Sequence, residues 1–381
     1  MKENLSSHKL LDQRVNGHSK PGDGRVLITG GAGFIGSNLA HRLLSEGRRV
    51  TVFDNLARPG VRRNVEWLLA NHGDRITVRL GDVRDAEAVA EVVDTADTIY
   101  HLAAQVAVTT SLDEPRTDFD VNVAGTLNIL EAARARVRRP AVVFTSTNKV
   151  YGDCAGLSLE RGASRYAPTD RDRATYGLGE DTRISFESPY GCSKGAADQY
   201  VLDYARSYGL TTAVFRMSCI YGPRQFGNED QGWVAHFLLR ALRDEPITLY
   251  GDGRQVRDLL FVDDLVEALV RASRVAPAAP GEVFNIGGGP ERAVSLLELL
   301  DLIEELTAVR PRVTYSDWRR GDQRYYVSDC RKAARLLGWE PRTTVRQGLA
   351  KLVDWMRRER LAEAAAVERA AAAPAAYSGT A

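Results

Sequence analysis

Residues 26–36 read VLITGGAGFIG, and this stretch decides the fold class of the chain. An apolar, β-branched run leads straight into three glycines, Gly30, Gly33 and Gly36, and an amphipathic run follows over 34–44. That order predicts a buried strand, a tight turn and a helix start, which together offer backbone N–H groups to a pyrophosphate. Gly30 allows the turn, Gly33 lets the backbone approach the phosphates, and Gly36 lets the helix pack closely on the strand.

A carboxylate follows the next predicted strand. Residues 49–53 (RVTVF) form that strand, which ends at Asp54, roughly 20 residues beyond the last glycine. A carboxylate at this spacing meets the hydroxyls of an adenosine ribose. The alternative is an ordinary strand–turn–helix unit with no ligand, and the position of Asp54 argues against it.

Strands and helices alternate through the first two-thirds of the chain. The predicted strands are 25–29, 49–54, 75–80, 97–102, 140–146 and 211–216. The predicted helices are 34–46, 85–94, 117–138, 190–208 and 231–243. Near-continuous apolar strands separated by helices predict an α/β fold with a doubly wound parallel sheet.

The pattern changes further along the chain. Residues 153–188 are polar and too long for an ordinary connection, so we interpret them as a functional insertion. After about 217 the alternation loosens into short strands and helices, the latter including 344–358, which predicts a smaller α+β lobe. The predicted organisation is a disordered N-terminal extension (1–24), a dinucleotide-binding domain (25–216) with the insertion, a ligand-binding lobe with excursions back to the sheet (217–358), and a tail (359–381).

Charge balance and cysteine usage exclude several classes of protein. The 381 residues carry 51 Lys and Arg against 50 Asp and Glu, so no global attraction to nucleic acid or an anionic membrane is expected. Four cysteines without paired spacing predict reduced thiols in a cytoplasmic protein rather than disulfides or a zinc site. No apolar run approaches the ~18 residues of a membrane span. No metal is expected, because we interpret the acidic residues Asp263, Asp264, Glu267 and Asp301 as solvated charges.

A tyrosine and a lysine are spaced to share one helix face. Pro189 suits the first turn of a helix, so Tyr190 and Lys194 stand one turn apart on it. A nearby ammonium favours the phenolate and lowers the pKa of the tyrosine, which can then take a proton from a sugar hydroxyl. The spacing alone fits a surface pair equally well.

Three consecutive hydroxyl side chains follow another predicted strand. Residues 142–144 belong to that strand, and Thr145, Ser146 and Thr147 come directly after them. Ligands bind at the carboxyl ends of the strands in open α/β sheets. We therefore expect this run to lie beside the ligand.

These features, with GDV at 81–83 and HLAA at 101–104, resemble the extended short-chain dehydrogenase/reductase family. The resemblance covers roughly residues 25–358. Within the family, the chain is similar to the NAD-dependent sugar-nucleotide epimerases and dehydratases. The resemblance implies a Rossmann fold, NAD as the cofactor and a nucleotide sugar as the substrate.

The resemblance also assigns the cofactor site. The residues that it implies for NAD binding are Gly30, Gly33, Phe34, Ile35, Gly36, Asp54, Asn55, Asp82, Val83, Leu102, Ala103, Ala104, Tyr190 and Lys194. Asp54 favours NAD over NADP, because a 2′-phosphate would face a like charge. Three nearby cations leave NADP as the alternative, namely Arg58, Arg62 and Arg63.

In the catalytic centre, the resemblance implies that Tyr190 is the acid/base, that Lys194 lowers its pKa and binds the ribose, and that Thr147 hydrogen-bonds the reacting oxygen. In the dehydratases, the two residues after this Ser or Thr are an Asp and a Glu, which expel a hydroxyl as water. Here they are Asn148 and Lys149. Because Asn cannot release a proton and Lys is a poor match for the Glu base, water elimination is disfavoured.

A finer resemblance is to the CDP-tyvelose (CDP-paratose) 2-epimerases. It rests on residues 146–152, 188–200, 221–226 and 230–234 and on the long insertion. It implies oxidation at C2 of a CDP-hexose to a 2-keto sugar, followed by return of hydride to the opposite face. A UDP-sugar 4-epimerase, acting on UDP-glucose or UDP-glucuronate, is the alternative, since the catalytic residues are the same. A 4,6-dehydratase and a non-catalytic NAD-binding protein are the remaining interpretations.

Two arginines, Arg257 and Arg319, match diphosphate-binding arginines of the group, and a guanidinium can bond two phosphate oxygens at once. The residues expected at the substrate are Gln105, Thr147, Asn148, Lys149, Arg224, Gln225, Arg257 and Arg319. Cys219 departs from the group, which often carries Asn there to contact the substrate phosphate. The helices at 117–138 and 190–208 carry apolar stripes, from which we expect a homodimer or homotetramer.

Overall fold

The computed structural model describes residues 24–319 and 321–372. Of the predicted extension and tail, residues 1–23 and 373–381 lie outside the described residues. The strands are β1 (Val26–Thr29), β2 (Val50–Asp54), β3 (Ile76–Leu80), β4 (Thr98–His101), β5 (Ala141–Thr147), β6 (Leu159–Arg161), β7 (Tyr166–Pro168), β8 (Thr212–Met217), β9 (Cys219–Tyr221), β10 (Ile247–Tyr250), β11 (Val256–Phe261), β12 (Glu282–Ile286), β13 (Ala293–Ser295), β14 (Val313–Ser316) and β15 (Tyr325–Tyr326). The helices are α1 (Phe34–Ser45), α2 (Val61–His72), α3 (Ala86–Val93), α4 (Val108–Asp113), α5 (Pro115–Phe119), α6 (Gly125–Ala135), α7 (Arg171–Tyr176), α8 (Ser188–Tyr208), α9 (Trp233–Leu242), α10 (Val262–Val275), α11 (Leu296–Thr307), α12 (Arg331–Leu337) and α13 (Val345–Ala372).

Seven parallel strands form the central sheet, in the order β12-β8-β5-β4-β1-β2-β3. The chain starts at β1, winds outward through β2 and β3, and then crosses to β4 on the other side of β1. This confirms the predicted doubly wound parallel sheet. The strand order reverses between β1 and β4, and a crevice for a ligand is expected at the carboxyl ends of these two strands.

Side chains of the central strands alternate between two apolar cores, one on each face of the sheet. Ile28 packs in the core formed with α1, α2 and α10, whereas its neighbour Leu27 packs in the core formed with α3, α6 and α8. Val52 and Phe53 on β2 divide in the same way. Burial on both faces explains why these strands are apolar at nearly every position.

Smaller sheets form after β8. β11 lies antiparallel to β13 and parallel to β15 and β9, and β10 pairs with β14 in parallel. β12 instead joins the central sheet beside β8. The predicted domain boundaries remain predictions.

Two predicted helices differ from the structure at their ends or in their middle. The predicted helix at 117–138 consists of α5, a π-helical turn at Asp120–Ala124, and α6, which ends at Ala135. A π turn inserts one residue into the helical hydrogen-bond pattern without a signature in the sequence. The predicted helix at 344–358 continues as α13 to Ala372.

The insertion at 153–188 contains an antiparallel hairpin, β6–β7, and the short helix α7. Side chains tie the hairpin to the rest of the protein. Arg165 Nε donates to the carboxylate of Glu298 at 2.7 Å, and the Tyr166 hydroxyl donates to Asp252 Oδ2 at 3.0 Å. These contacts with residues that are distant in the sequence stabilise the hairpin, whose two strands are short.

None of the helices in the described part of the chain is long and apolar enough to cross a membrane. Within residues 24–319 and 321–372, no group of three or more His, Cys, Asp or Glu side chains could hold a metal ion. The four cysteines are free thiols. A cytoplasmic location remains a prediction.

Candidate active site

The glycine-rich turn joins β1 to α1 in a conformation that other residues could not adopt easily. Gly30 has a φ of +67°, in the left-handed region. A Cβ atom at Gly36 would clash with the carbonyl oxygen of Gly30. No side chain caps the start of α1 at Gly33, so the helix N-terminus presents backbone N–H groups.

All residues predicted to bind the cofactor line one cleft, which is open to solvent at the carboxyl ends of the central strands. They are Gly30, Gly33, Phe34, Ile35, Gly36, Asp54, Asn55, Asp82, Val83, Leu102, Ala103, Ala104, Tyr190 and Lys194. Arg58 lines the same cleft. The cleft therefore brings together segments that lie as far apart in the sequence as β1 and α8.

Two carboxylates lie at one end of this cleft. Asp54 accepts hydrogen bonds from the backbone N–H groups of Ala32 at 3.1 Å and Leu56 at 2.9 Å. Burial raises the pKa of Asp54, and these two hydrogen bonds oppose the effect. Asp82 is held by Arg84, at 2.7 Å from Nη2 to Oδ2, and this pairing lowers the pKa of its carboxyl group.

The cleft also contains buried polar atoms that have no partner in the protein. The Ser146 hydroxyl and the Gln105 side-chain carbonyl have none among the described residues. Both residues line the cleft. Unsatisfied buried polar atoms are costly in a folded protein, so their presence fits a site that bonds a polar ligand. Gln105, which we expected beside the sugar, thus lines the same cleft as the predicted cofactor residues.

Tyr190 and Lys194 lie on the first turns of α8, both buried. Burial raises the pKa of the Tyr190 hydroxyl to about 12, and a hydrogen bond from Thr147 opposes the increase. The Lys194 ammonium donates to the Thr145 carbonyl oxygen at 2.7 Å and lies 4.2 Å from the centre of the Phe144 ring. Burial lowers the pKa of Lys194 to about 7, although the nearby carboxylates of Asp198 and Asp118 act to raise it.

These pKa directions differ from the expectation that Lys194 draws the pKa of Tyr190 down toward neutrality. The reason is that desolvation dominates for both side chains and disfavours the charged form of each. The protein alone therefore holds the phenol protonated at neutral pH, and Lys194 titrates near neutral pH.

Asn122, which the sequence did not point out, is hydrogen-bonded to residues at the cleft. Asn122 lies in the π turn, and its side-chain nitrogen is within hydrogen-bond distance of Ser193 Oγ (3.0 Å), Asp118 Oδ1 (3.1 Å) and the Gln105 carbonyl oxygen (3.1 Å). Ser193 in turn donates to the Tyr190 carbonyl oxygen at 3.2 Å. Asn122 thus joins the helix of the tyrosine to the cleft.

A second cavity lies beyond the hydroxyl run. Among the predicted substrate residues it is lined by Asn148, Lys149, Arg257 and Arg319. Cys219 lines it as well, and its sulfur accepts a hydrogen bond of 3.4 Å from the indole of Trp233. The guanidinium and ammonium groups among these residues suit an anionic ligand.

Consecutive residues connect the two cavities. Thr145 and Ser146 line the first cavity, whereas Asn148 and Lys149 line the second. Between them, the Thr147 hydroxyl accepts a hydrogen bond of 3.2 Å from the Lys149 backbone N–H and caps the following 3₁₀ turn. Thr147 itself is not among the residues that line either cavity, but it lies in the chain between residues of the first cavity and residues of the second.

Two predicted substrate residues do not join this arrangement. Arg224 and Gln225 are not among the residues that line either cavity. The Arg224 guanidinium lies over the Trp67 ring, 3.3 Å from its centre, and the backbone of Arg224 has a φ of +69°. The Gln225 amide donates to the Ile220 carbonyl oxygen at 3.2 Å. The turned backbone and the indole direct the Arg224 side chain toward α2, whereas Gln225 contacts β9.

A family model and a known relative each match most of this chain. A family model described as GDP-mannose 4,6 dehydratase matches residues 27–352. The CDP-paratose 2-epimerase of Salmonella typhi is 43% identical over 338 residues, which cover 87% of this chain and 98% of that protein.

Solved structures give the same result. A UDP-glucose 4-epimerase from Thermotoga maritima, solved with UDP-glucose, is 32% identical, with a TM-score of 0.75 over 88% of this chain and 99% of that one. The UDP-glucose 4-epimerase of Thermus thermophilus, solved with NAD, is 33% identical, with a TM-score of 0.73 over 87% of this chain and 99% of that one.

The matched range runs from β1 into α13 and includes both cavities. The resemblance to the extended short-chain dehydrogenase/reductase family is thereby confirmed. This chain belongs to the GDP-mannose 4,6-dehydratase family of extended short-chain dehydrogenases/reductases.

Proposed function

We propose that this protein is an NAD-dependent nucleotide-sugar epimerase that inverts C2 of a CDP-hexose. The observation that carries the proposal is the position of Thr147 in the chain, between Thr145 and Ser146 of the first cavity and Asn148 and Lys149 of the second. A dinucleotide in the first cavity and a nucleotide sugar in the second would face each other across this hydroxyl and the phenol of Tyr190.

The residues of the first cavity fit NAD. The turn at Gly30 and the start of α1 would hold the pyrophosphate, and Asp54 would hold the adenosine ribose. Asp54 disfavours a 2′-phosphate by like charge, although Arg58 lies in the same cleft. When bound, NAD⁺ supplies an acceptor and later a donor of hydride for the sugar carbon, and brings a positive charge near the phenol.

The protein supplies the proton transfer. Tyr190 takes the proton of the sugar hydroxyl and returns it when the epimeric alcohol forms, which requires a lower phenol pKa than burial alone gives. Thr147 donates to the same oxygen and stabilises its anionic form. Lys194, anchored to the Thr145 carbonyl, is placed to bind a ribose hydroxyl of the cofactor.

The residues beside Thr147 support epimerisation rather than dehydration. Asn148 is 7% exposed and its amide lies 3.4 Å from the Gln323 side-chain oxygen. An amide cannot donate a proton to a leaving hydroxyl. Without an acid at this position, a keto sugar would be reduced again rather than lose water.

A UDP-sugar 4-epimerase is the second candidate, because two of the similar solved structures are UDP-glucose 4-epimerases. Both candidates use the same catalytic side chains. They differ in the sugar carbon that reaches Tyr190 and in the nucleotide that is bound.

Product analysis tests the proposal. The purified protein is incubated with CDP-paratose, CDP-glucose, UDP-glucose and UDP-glucuronate in deuterated buffer, and the products are examined by NMR. Inversion at C2 of a CDP-sugar without deuterium on carbon supports the proposal. Inversion at C4, or incorporation of solvent deuterium, contradicts it. Mass spectrometry of ligands released on denaturation tests for NAD independently.

We also propose a homodimer or homotetramer assembled through α6 and α8. Tyr200 and Tyr208 on α8 are each 44% exposed, which is large for aromatic side chains on one helix. Analytical ultracentrifugation at several concentrations tests the assembly, and a monomer at micromolar concentration contradicts it.

A further inference from the structure

The charged side chains of the second cavity are distributed unevenly. In the described part of the chain, six line it: Lys149, Glu229, Asp230, Arg257, Arg319 and Asp322. They form two contact groups: the inner group consists of Lys149, Arg257 and Asp322, and the outer group consists of Glu229, Asp230 and Arg319. The two groups have opposite net charge.

The inner group carries a net positive charge. The Lys149 ammonium lies 3.2 Å from the Gly321 carbonyl oxygen and 3.9 Å from Asp322 Oδ1. The same carboxylate oxygen accepts a hydrogen bond of 2.8 Å from Arg257 Nη2. Two cations thus share one carboxylate, and the shorter contact belongs to Arg257. Lys149 keeps bonding capacity for a further anion, since an ammonium has three donors.

The outer group carries a net negative charge. Arg319 lies 3.6 Å from a carboxylate oxygen of Glu229 and 3.6 Å from one of Asp230. It also donates to the Glu229 carbonyl oxygen at 3.2 Å, and its guanidinium stacks 3.8 Å from the centre of the Tyr250 ring. The predicted diphosphate arginine is therefore already occupied by carboxylates of the 228–232 segment.

Because the inner group is positive and the outer group negative, we expect a nucleotide diphosphate to bind at the inner group. Lys149 follows Thr147 by only two residues, and its backbone N–H bonds the Thr147 hydroxyl. Lys149 and Thr147 therefore belong to one turn, and an anion on Lys149 would be bound by the same turn that carries the reacting hydroxyl. In a nucleotide sugar, the phosphate is attached at C1. The adjacent carbon C2 can reach Tyr190 with the phosphate close by, whereas C4 lies across the ring.

We propose that Lys149 binds the sugar-proximal phosphate of the substrate and thereby selects C2 as the reacting carbon. The selection of C2 as the reacting carbon rests on the proposed function. The phosphate contact itself is independent of turnover. A carboxylate at C6 of a uronic acid has the same anionic chemistry, and it would occupy Lys149 if C4 were the reacting carbon.

Binding of nucleotides without sugar tests the phosphate contact. CDP contains the phosphate that would be sugar-proximal in the substrate, and CMP lacks it. We expect Lys149→Met to raise the Kd of CDP roughly 10- to 100-fold in calorimetry, the loss of one hydrogen bond to a charged group, with little change for CMP. Lys149→Arg should retain most of the CDP affinity. Lys351→Met, at a lysine whose side chain is 56% exposed and outside the cavity, is the matched control.

An equal change for CDP and CMP in Lys149→Met, or no change in either, would overturn the phosphate contact. The contact would also be overturned if the variant raised the KM of UDP-glucuronate but not of UDP-glucose and left the CDP-to-CMP ratio unchanged. If the wild-type protein bound CDP through Lys149 but inverted no CDP-sugar at C2, the proposed function would fail while the phosphate contact stood. If the wild-type protein inverts C2, loss of this activity in Lys149→Met and its retention in Lys149→Arg support the selection of C2.

Discussion

Arg216 on β8 and Asp198 on α8 form a buried ion pair with two hydrogen bonds of 2.9 Å each. Their side chains are 5% and 1% exposed. The pair joins the strand next to the hydroxyl run to the helix that carries Tyr190 and Lys194. Arg216 also donates to the Tyr151 hydroxyl at 3.1 Å, which extends the contact to the 3₁₀ turn after Thr147.

Replacing one partner of this pair should strongly destabilise the fold. Asp198→Asn leaves a buried guanidinium without a full countercharge, and we expect a loss of about 3–5 kcal/mol in the free energy of unfolding. Chemical denaturation followed by circular dichroism measures it. Asp203→Asn, at an exposed carboxylate on the same helix, should change it by less than about 0.5 kcal/mol. Equal effects of the two substitutions would contradict a stabilising role of the pair.

Removal of the Tyr190 hydroxyl should abolish epimerisation without unfolding the protein. Tyr190→Phe keeps the ring in place, and loss of acid/base catalysis should lower kcat roughly 10²- to 10⁴-fold. Steady-state assays measure this effect, with the substrate that the product analysis identifies. Tyr176→Phe, at a residue outside both cavities with 42% exposure, is the control. Turnover of Tyr190→Phe at the wild-type rate would show that another group moves the proton.

Features that depend on local spacing could be predicted from the sequence. The strand, turn and helix at 26–36 follow from apolar runs and glycines that are adjacent in the chain, and all the implied cofactor residues meet in one cleft. The one-turn spacing of Tyr190 and Lys194 holds in α8 for the same reason. These features need no knowledge of distant contacts.

Features that depend on distant contacts could not be predicted. Asp322 becomes the shared partner of Lys149 and Arg257 only through folding of the smaller lobe. Arg224 turns toward Trp67, which lies more than a hundred residues earlier, and so leaves the predicted substrate site. The pKa of the phenol likewise depends on burial, which no spacing rule describes.

A methyl group at Gly36 should prevent binding of the dinucleotide. The Cβ atom of Gly36→Ala would overlap the Gly30 carbonyl oxygen and lie 2.6 Å from Gly31 Cα, so the turn must open. We expect NAD to be absent from the purified variant and the protein to lose about 1–3 kcal/mol of stability. Mass spectrometry and denaturation measure the two effects. Gly156→Ala, where the added Cβ has nothing within 4 Å, should retain wild-type NAD content. If Gly36→Ala still carried NAD, this would contradict the requirement for close packing of Gly36 on the turn at Gly30.

Lys194 should make stability rise with pH above neutrality. Its pKa in the folded protein is about 7, because burial disfavours the ammonium, whereas an unfolded lysine titrates near 10.4. Between these values the unfolded chain binds more protons than the folded one, so the free energy of unfolding increases with pH. The increase should approach about 1.4 kcal/mol per pH unit in this window.

Comparison with Lys194→Met isolates this contribution. Buried thiols and phenols with raised pKa values, such as Cys154 and Tyr190, act in the opposite direction above pH 9, but they are present in both proteins. Urea denaturation at pH 7.0, 8.0 and 9.0 should therefore show a difference in unfolding free energy between wild type and variant that grows with pH in favour of the wild type. A difference that stays constant across this range would mean that Lys194 keeps its charge in the folded protein, anchored to the Thr145 carbonyl as an ammonium.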